Sequence, residues 1–454
     1  MEIFDTAVVG GGLAGLGVAT LLRERGKNVV LFEKEDQPGG KVRSVREDGF
    51  VVELGPLGWL DREPVVSDLV AGLGLKPLIA KDVQKDRSLF KDGGLIALPS
   101  DGPSFLMSKV LPFHAKMRLA AELFIPARRH GEESVESFST RRFGKHVANT
   151  LFGAMVSGIY GGDPQKLSVH AAFPLMAGWE FESGSCMRGA LKHMRKKRRD
   201  IKQGRLKKTS GTLCSLAGGL GDFTDAAAQN LGANYRGGQA LEAVTREGNF
   251  WEFHQAGAVV ARAHHLVLAT PARESARLLG AVGKELAQVA ATIPGNNLCV
   301  VTGAWRRDQV QHELQSFGFI ALRNHGFRPL GVQYASSIFP DQSPSDMVQL
   351  RVLIGGSFDP DVADLSDQEL QAACFDPLHK LLGVQGDPER VWMRRVAGGI
   401  PQYTVGHLSR VAAFDAMEEK MPGLHFAGDS LHGVGVNAVL KRALVVADRL
   451  CASR

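Results

Sequence analysis

The sequence has few cysteines and no long apolar run. Its five cysteines are scattered, odd in number and never part of a C-x-x-C pair: Cys186, Cys214, Cys299, Cys374 and Cys451. This pattern indicates neither a disulfide framework nor a zinc site, and it suits a reducing cytosol. No stretch of about 18 or more apolar residues is free of glycines and charges, so no membrane-spanning helix is expected. Any membrane contact should therefore be peripheral.

A basic leader is also missing, because Glu2 and Asp5 occupy the N-terminus. An apolar strand pattern begins at once, which leaves no room for a signal or transit peptide and predicts a cytoplasmic protein. The net charge of +6 is mild for 454 residues. It is compatible with an anionic membrane surface or an acidic substrate and decides between neither. The length predicts two or three lobes rather than one core.

A glycine-rich turn near the start is the strongest motif. Apolar residues 6–9 are followed by Gly10, Gly12 and Gly15 and then by a helical pattern, which predicts a strand, a tight turn and a helix. In a dinucleotide-binding motif these glycines allow the turn, the close approach of a pyrophosphate and the packing of the helix on the strand. Glu33 follows about 20 residues on, where a carboxylate accepts hydrogen bonds from the adenosine ribose.

A second glycine pair follows this acid. Gly39 and Gly40 precede Lys41, so another backbone segment and a cation can approach the same pyrophosphate. This extension favours a flavin dinucleotide over a nicotinamide. At the far end of the chain, Asp429 can accept a hydrogen bond from the ribityl chain. The helix that should start near Val436 can direct its positive end towards the flavin pyrimidine ring.

The patterns between these ends predict further lobes. A helix is expected from Arg62 to Leu75, and a hairpin over residues 86–99 has Arg87 at its mouth. Residues from about 105 to 191 are mainly helical in pattern, whereas strand-like runs over 297–356 predict a second sheet. His264 and His265 are adjacent on one strand and therefore cannot jointly bind a metal, and no hydrolase triad is expected around Asp429.

A dense basic run occupies residues 192–208 and has almost no apolar content. Three hypotheses apply to it. Such a run is most often solvated and mobile. It could instead attract anionic lipid headgroups, where each cation contributes about 1 kcal/mol. Nucleic-acid binding is disfavoured, because no aromatic residues interleave with the cations to stack on bases.

Nearly the whole chain resembles the protoporphyrinogen oxidases of the flavin-dependent amine oxidase superfamily. Beside the two glycine motifs, the Arg87 hairpin, the segment from Gly158 to Asp163 and the run from Gly399 to Leu408 carry this resemblance. The chain departs from the family in two places. It has Lys41 where the family usually has arginine, which keeps the charge but loses the planar fork, and after Asn437 the usual acidic turn is missing.

The resemblance implies an α/β fold: a Rossmann-like FAD-binding lobe of the glutathione reductase and amine oxidase type, a sheet-based substrate lobe and an inserted helical lobe. The implied ranges are 1–88, 209–284 and 396–454 for the FAD lobe, 89–208 for the helical lobe and 285–395 for the substrate lobe. FAD should bind noncovalently. The residues expected to contact it are Gly10, Gly11, Gly12, Leu13, Ala14, Gly15, Glu33, Lys34, Gly40, Lys41, Gly55, Pro56, Leu57, Leu241, Gly428, Asp429, Val434, Gly435 and Val436.

The implied reaction is the six-electron oxidation of protoporphyrinogen to protoporphyrin, with oxygen as electron acceptor and hydrogen peroxide as product. A porphyrinogen has an apolar body and propionates on one edge, so its site needs an apolar cleft and one cation. Arg87 is the expected cation, and Phe317, Gly318, Ile320 and Leu353 are the expected walls. Hydride transfer to the flavin needs positioning more than an acid or base, and no catalytic side chain is predicted.

Other functions are consistent with the same motifs. Coproporphyrinogen, which carries more propionates, is the alternative substrate. A flavin amine oxidase would need an aromatic cage, for which four tyrosines and five tryptophans offer little, and a polyene desaturase would need no propionate partner. An electron-transfer flavoprotein is a third class. The expected partners are a porphyrinogen and oxygen, with an anionic membrane surface and a homodimer as further hypotheses, and no nucleic acid.

Overall fold

A computed structural model describes residues 2–99, 102–128, 130–323 and 325–452. The range 89–208 predicted for the helical lobe includes three residues outside this description, Ser100, Asp101 and Arg129, and the range 396–454 ends two residues beyond it. The described strands are β1 Ile3–Val9, β2 Val29–Phe32, β3 Ser44–Glu47, β4 Phe50–Glu53, β5 Trp59–Leu60, β6 Leu78–Ile79, β7 Arg87–Lys91, β8 Gly94–Leu98, β9 Leu213–Ser215, β10 Tyr235–Arg236, β11 Ala243–Glu247, β12 Phe250–Gln255, β13 Ala258–Leu268, β14 Gly295–Arg306, β15 Gly318–Ala321, β16 Gly331–Tyr334, β17 Met347–Gly355, β18 Arg390–Pro401 and β19 Leu424–Phe426.

Helices connect and cover these strands. The α-helices are α1 Leu13–Glu24, α2 Pro64–Gly72, α3 Gly102–Met107, α4 Phe113–Ala120, α5 Val135–Phe143, α6 Lys145–Val147, α7 Gly153–Tyr160, α8 Val169–Ala172, α9 Pro174–Ser183, α10 Cys186–Lys202, α11 Gly221–Leu231, α12 Ala272–Leu278, α13 Lys284–Ala291, α14 Ala335–Ile338, α15 Asp367–Leu382, α16 His407–Lys420 and α17 Val436–Ala452. Short 3₁₀ turns and one π-helical segment, Ala148–Phe152, lie between them.

The first sheet is built from three distant parts of the chain. Its strand order is β10-β2-β1-β13-β12-β11, and β19 also pairs with β13. Strands β10, β2, β1, β13 and β19 are parallel to one another, and β12 and β11 add an antiparallel edge. Helices α1, α11 and α17 contribute to the apolar core on one face, whereas α12, α13 and α16 cover the other. The α/β fold class expected from the sequence is confirmed.

The second sheet has the order β18-β14-β17-β16-β15-β7-β8. The hairpin β7-β8 is therefore an edge of this sheet. The lobe boundary predicted between residues 88 and 89 divides this hairpin, and the boundary predicted between residues 395 and 396 divides β18. Helix α15 packs against one face through a core that includes Val352 and Ile354. Because side chains alternate along a strand, the opposite face, here called the inner face, carries Arg351 and Leu353.

Helices α3–α10 follow the hairpin and enclose an apolar core of their own. A charged cluster also lies inside this region. Arg142 is 0% exposed and forms ion pairs with Glu122 and Glu180. Arg141 pairs with Glu133 and Glu180, at 2.6 and 2.8 Å. Buried charges need such partners because desolvation is costly, so this cluster ties several helices of the lobe together.

The basic run is ordered as a helix for most of its length, which differs from the mobile segment favoured by its composition. The Ser185 hydroxyl accepts a hydrogen bond from the Arg188 amide and caps α10, a helix that continues to Lys202. Gly189 packs against Trp179 of α9. Beyond Ala190 nearly all side chains of α10 are exposed, which is consistent both with a solvated run and with one that contacts anionic lipid.

Candidate active site

The opening motif forms a strand, a turn and a helix at the centre of the first sheet. Gly10 has a φ of +109°, which favours glycine. A Cβ on Gly15 would lie 1.9 Å from the Gly10 carbonyl oxygen, so α1 can start this close to β1 only with glycine there. The roles predicted for these two glycines therefore agree with the geometry.

The start of α1 is open towards the second glycine loop. Gly12 is the N-cap of α1 and no side chain caps this helix. A Cβ built on Gly12 would meet nothing nearer than the Gly39 carbonyl oxygen, at 3.9 Å. The Gly39 amide donates to the Gly11 carbonyl at 2.8 Å, which holds the two loops together. Uncapped amides beside this bare backbone are a suitable cradle for a pyrophosphate.

Glu33 lies at the end of β2, with 8% of its surface exposed. Its carboxylate accepts a hydrogen bond from the Gly11 amide at 2.5 Å and another from the Glu35 amide at 3.0 Å. Leu13 and Ala14 form the first turn of α1, whereas Lys34 is solvent-exposed and pairs with Glu35. The predicted ribose acid is thus held beside the glycine turn.

The glycine motif near the start of the chain and the loop near its end are joined by a salt bridge. The Lys41 ammonium lies 2.5 Å from the Asp429 carboxylate, and both groups are partly exposed. The loop from Gly428 leads into α17, which begins at Val436 as predicted. A Cβ on Gly435 would have no neighbour within 4 Å. This loop therefore presents a second stretch of bare backbone, next to a helix N-terminus.

The remaining residues predicted for FAD lie around these loops. The Gly55 carbonyl accepts a hydrogen bond from the Arg351 guanidinium, and Pro56 is half-buried. Leu57 is buried in a small cluster against which Phe317 packs. Leu241 is buried on the other side of the first sheet, and its carbonyl accepts a hydrogen bond from Arg277. The contacts of these residues with FAD stay predictions.

Four of the five predicted substrate residues are neighbours on the inner face of the second sheet. Ile320 pairs with Leu89 and Gly331, and Gly331 pairs in turn with Leu353. Arg87 precedes Ser88, which pairs with Phe319, so Arg87 lies beside Gly318. Two adjacent rows of one face therefore contain Arg87, Gly318, Ile320 and Leu353.

Arg87 lies on the same face as Arg351, at the edge formed by the β7-β8 hairpin. Its guanidinium lies over the Phe317 ring, 4.8 Å from the centroid. Desolvation, and secondarily the nearby Arg62, lower the pKa of Arg87. In the part of the chain that the structure describes, no carboxylate forms an ion pair with Arg87. A cation held by an aromatic ring and without an anionic partner is suited to bind an anionic group of a ligand.

The glycine loops and the inner face share apolar packing. Val434, from the loop before α17, and Ile320, from the inner face, both pack against the same core of the helical lobe. Leu57 and Phe317 meet in another cluster. Residues predicted for the cofactor and residues predicted for the substrate therefore pack against shared apolar clusters.

A comparison with known families decides what this arrangement represents. The family of flavin containing amine oxidoreductases matches residues 13–451. The chain belongs to this family. Its cofactor is FAD, and the protein is an FAD-dependent oxidase. The uncapped start of α1 and the glycine loops without side chains fit the phosphates of this cofactor. The flavin cofactor predicted from the two glycine motifs is confirmed.

Similar proteins confirm the resemblance to protoporphyrinogen oxidases. The mitochondrial protoporphyrinogen oxidase of Nicotiana tabacum is 28% identical over 476 residues, which cover 97% of this chain and 94% of the relative. The coproporphyrinogen III oxidase of Propionibacterium freudenreichii subsp. freudenreichii is 31% identical, with coverages of 98% and 90%. A crystal structure from Exiguobacterium sp. 255-15, provisionally named a protoporphyrinogen oxidase, shares the fold with a TM-score of 0.82 at 24% identity, covering 100% of this chain and 99% of that one.

Sequence reasoning assigned no role to Arg351, which this oxidase buries between the second sheet and the end of the two-stranded β3-β4 sheet. Arg351 is 3% exposed and donates hydrogen bonds to the carbonyls of Glu53 and Gly55 and to the Gln333 side chain. Burial lowers its pKa to about 10, against the opposing effect of Glu53. Burial also raises the pKa of Glu53 to about 7. A charged residue in a strand whose other side chains are uncharged was the available signal.

Proposed function

We propose that this oxidase converts protoporphyrinogen to protoporphyrin. The observation that carries the proposal is the inner face of the second sheet, where Arg87, which has no ion-pair partner among the described residues, lies beside the apolar side chains of Ile320 and Leu353. FAD would accept hydride from the porphyrinogen in three rounds, six electrons in all, and oxygen would take these electrons to form hydrogen peroxide.

The side chains of the site would act by positioning. Ile320 and Leu353 would pack against the macrocycle. Gly318 is required by the sheet itself, because a Cβ there would lie 2.0 Å from the Val332 carbonyl oxygen, and it would leave bare backbone beside these two side chains. Arg87 would hold a propionate and so fix which side of the ring faces the flavin. Positioning of this kind can supply a large part of a rate enhancement without an acid or base.

Porphyrin fluorescence and peroxide release under air test the proposal. We expect the wild type to oxidise protoporphyrinogen, and Arg87→Ala to raise KM by roughly tenfold or more, since a charge-assisted hydrogen bond contributes about 1.5–3 kcal/mol. Arg87→Lys should recover part of the loss. Lys85→Ala removes a nearby exposed charge that pairs with Asp82 and should be neutral. Turnover of no porphyrinogen would reject the function, and an unaltered Arg87→Ala would reject the site.

Coproporphyrinogen is the second candidate substrate, and Arg62 favours it. Arg62 is exposed and close enough to lower the pKa of Arg87, so two cations stand at the mouth of the hairpin. A substrate with additional propionates could engage both. The same assay, run with each porphyrinogen, separates the candidates. Arg62→Ala should lower activity with coproporphyrinogen and leave activity with protoporphyrinogen unchanged.

The tyrosines weigh against an amine substrate. Tyr160, Tyr334 and Tyr403 are each at most 3% exposed and belong to packed cores, so they cannot form an open aromatic cage. A polyene desaturase would not require Arg87. Absence of oxygen-dependent turnover with any reduced tetrapyrrole would favour an electron-transfer flavoprotein instead.

We also propose that FAD is held noncovalently. In addition, we propose that the helical region contacts an anionic membrane surface. Large apolar side chains are exposed in this region, among them Met107 at 87%, Phe113 at 78% and Phe124 at 82%. On α10 itself, Met187, Leu191 and Met194 form an exposed apolar stripe between cations. No helix in the described part of the chain is long and apolar enough to cross a bilayer.

Two experiments address these points. Acid precipitation should release all of the flavin into the supernatant if no covalent bond holds it. Sedimentation with vesicles should show binding to anionic but not to zwitterionic lipid, weakened by salt. The variant Leu191→Asp should reduce this binding, whereas Val282→Asp, an exposed apolar position in another region, should not. A homodimer and the lobe boundaries stay predictions, which light scattering and limited proteolysis can test.

A further inference from the structure

The segment from Gln402 to His407 lies between the helical region and the loop that precedes α17. It belongs to the run from Gly399 to Leu408 on which the resemblance partly rests, yet nothing above assigns it a function. Tyr403 is 1% exposed and His407 is also 1% exposed. Their rings are stacked, with centroids 4.0 Å apart and planes at 17°. Together they form a rigid unit beneath the loop.

The Tyr403 hydroxyl joins two points of this loop. It donates a hydrogen bond to the Asp429 carbonyl at 2.5 Å and accepts one from the Gly433 amide at 2.7 Å. His407 contacts the residue midway between them, because its Nε2 donates to the Leu431 carbonyl at 3.1 Å. Residues 429, 431 and 433 are thus all bound by one stacked pair of rings.

The other side of the segment is hydrogen-bonded to the helical region. The Tyr403 carbonyl accepts from the Ser168 amide at 2.8 Å, and the Val405 amide donates to the Lys166 carbonyl at 2.9 Å. The Gly406 amide donates to the Glu132 carboxylate at 2.6 Å. These contacts anchor the rings independently of the loop that they bind.

We infer that Tyr403 is a positioning residue for FAD: its hydroxyl holds the loop from Gly428 to Val436 in the conformation that receives the cofactor. The loop itself is rich in glycine, so without an external tie it would lose much conformational entropy on binding. Preorganisation by Tyr403 would reduce that loss. The inference rests on the proposed contact of this loop with FAD, but not on the porphyrinogen substrate.

The test compares two buried tyrosines. Tyr403→Phe keeps the stacked ring but removes both hydrogen bonds to the loop. Tyr160→Phe is the matched control, since Tyr160 is 3% exposed, lies in the same apolar core and donates one hydrogen bond to the Ala172 carbonyl, away from the loop. We expect Tyr403→Phe to raise the dissociation constant of FAD about tenfold, as two lost hydrogen bonds allow, and Tyr160→Phe to leave it within about twofold.

Hydrogen exchange of the apoprotein provides a readout independent of activity. Amides of residues 429–436 should exchange faster in Tyr403→Phe than in wild type, while the same amides stay unchanged in Tyr160→Phe. Equal effects of the two variants on FAD affinity and on exchange would overturn the inference, because they would show only a general loss of stability. If Tyr403→Phe does not fold, His407→Phe takes its place, because it removes the hydrogen bond from the same stacked pair of rings to Leu431. Its FAD affinity and the exchange of the amides of residues 429–436 are then compared with those of Tyr160→Phe.

A further variant separates this inference from the assignment of the loop. Gly435→Val adds a side chain where the protein has free space, so it should block FAD only if the loop contacts the cofactor. Unchanged affinity in Gly435→Val would reject the contact itself. Weakened affinity in Gly435→Val together with an unaltered Tyr403→Phe would retain the contact and reject the positioning role.

Discussion

At the scale of single residues, the site depends on a few charges whose partners lie far away in the sequence. Lys41 and Asp429 are separated by 388 positions but form one salt bridge. The sequence assigned both residues to FAD through their separate motifs, whereas their contact with each other was not expected. Their pairing means that each can orient the other before the cofactor binds.

Lys41 should contribute to FAD affinity through its charge. We expect Lys41→Met to raise the dissociation constant of FAD about fivefold, close to 1 kcal/mol, because the ammonium group is partly exposed and its interactions are screened by solvent. Lys41→Arg should bind FAD at least as well as wild type. Flavin fluorescence titration measures both. Lys81→Met, at an exposed position, serves as the control, and an equal loss in that variant would argue against a local role.

Two histidines near the loop from Gly428 to Val436 predict that the stability of the protein falls in acid. Burial lowers the pKa of His407 and of His432 to about 4, below the ordinary value of 6.5. Both are therefore neutral in the native state, whereas the unfolded chain takes up protons below pH 6.5. Stability should be complete above about pH 6.5 and should fall as the pH decreases towards 4, by on the order of 2 kcal/mol for each histidine.

The variant His432→Asn tests this dependence. Its free energy of unfolding should change less between pH 6.5 and pH 4 than that of the wild type, because one of the two groups no longer titrates. His264→Asn replaces an exposed histidine and should retain the wild-type slope. Identical slopes in all three proteins would show that His432 does not contribute.

At the scale of secondary structure elements, the helical region depends on a buried charge cluster rather than on apolar packing alone. Glu122 is 0% exposed, and its carboxylate accepts hydrogen bonds from the Ser185 hydroxyl at 2.6 Å and the Cys186 amide at 2.8 Å. It also pairs with Arg142. The start of α10 is thereby connected to α5, so the basic helix is positioned by a carboxylate from a distant part of the chain.

Removing the charge of Glu122 should therefore destabilise the protein. We expect Glu122→Gln to lower the free energy of unfolding by about 3 kcal/mol, because the buried Arg142 would lose its nearer carboxylate partner and keep only Glu180, at 3.4 Å. Glu182→Gln, at an exposed position of the neighbouring α9, should have little effect. Denaturant unfolding compares the two variants. A loss below about 1 kcal/mol would mean that the other carboxylate, Glu180, suffices.

At the scale of the whole molecule, Arg351 connects the second sheet to the end of the two-stranded β3-β4 sheet. It belongs to the second sheet, but two of its hydrogen bonds go to Glu53 and Gly55, in the part of the chain predicted to bind FAD. Val300 of the second sheet packs in the same cluster as Phe50 and Leu54. The distance between the inner face and the glycine loops is therefore set by a buried polar tie as well as by apolar contacts.

Arg351→Met should weaken this connection. We expect the free energy of unfolding to fall by about 2 kcal/mol, since the carbonyls of Glu53 and Gly55 lose a buried donor, and FAD affinity to fall with it. Arg395→Met is the control, because Arg395 pairs with Asp367 at the protein surface. Calorimetry with and without FAD gives both values. A variant as stable as wild type would show that apolar packing alone holds the second sheet against the β3-β4 sheet.

The sequence by itself determined the two strand-turn-helix motifs that are predicted to bind FAD, because strand periodicity, glycine spacing and a helix start are local signals that depend on neighbouring residues. It also indicated the second sheet and the arginine hairpin, although it could not assign that hairpin to the sheet. Only the tertiary structure decided which distant residues meet: Lys41 with Asp429, Arg351 with Gly55, and Tyr403 with Gly433. Such pairs depend on how separate elements pack, and no local pattern of residue types records that packing.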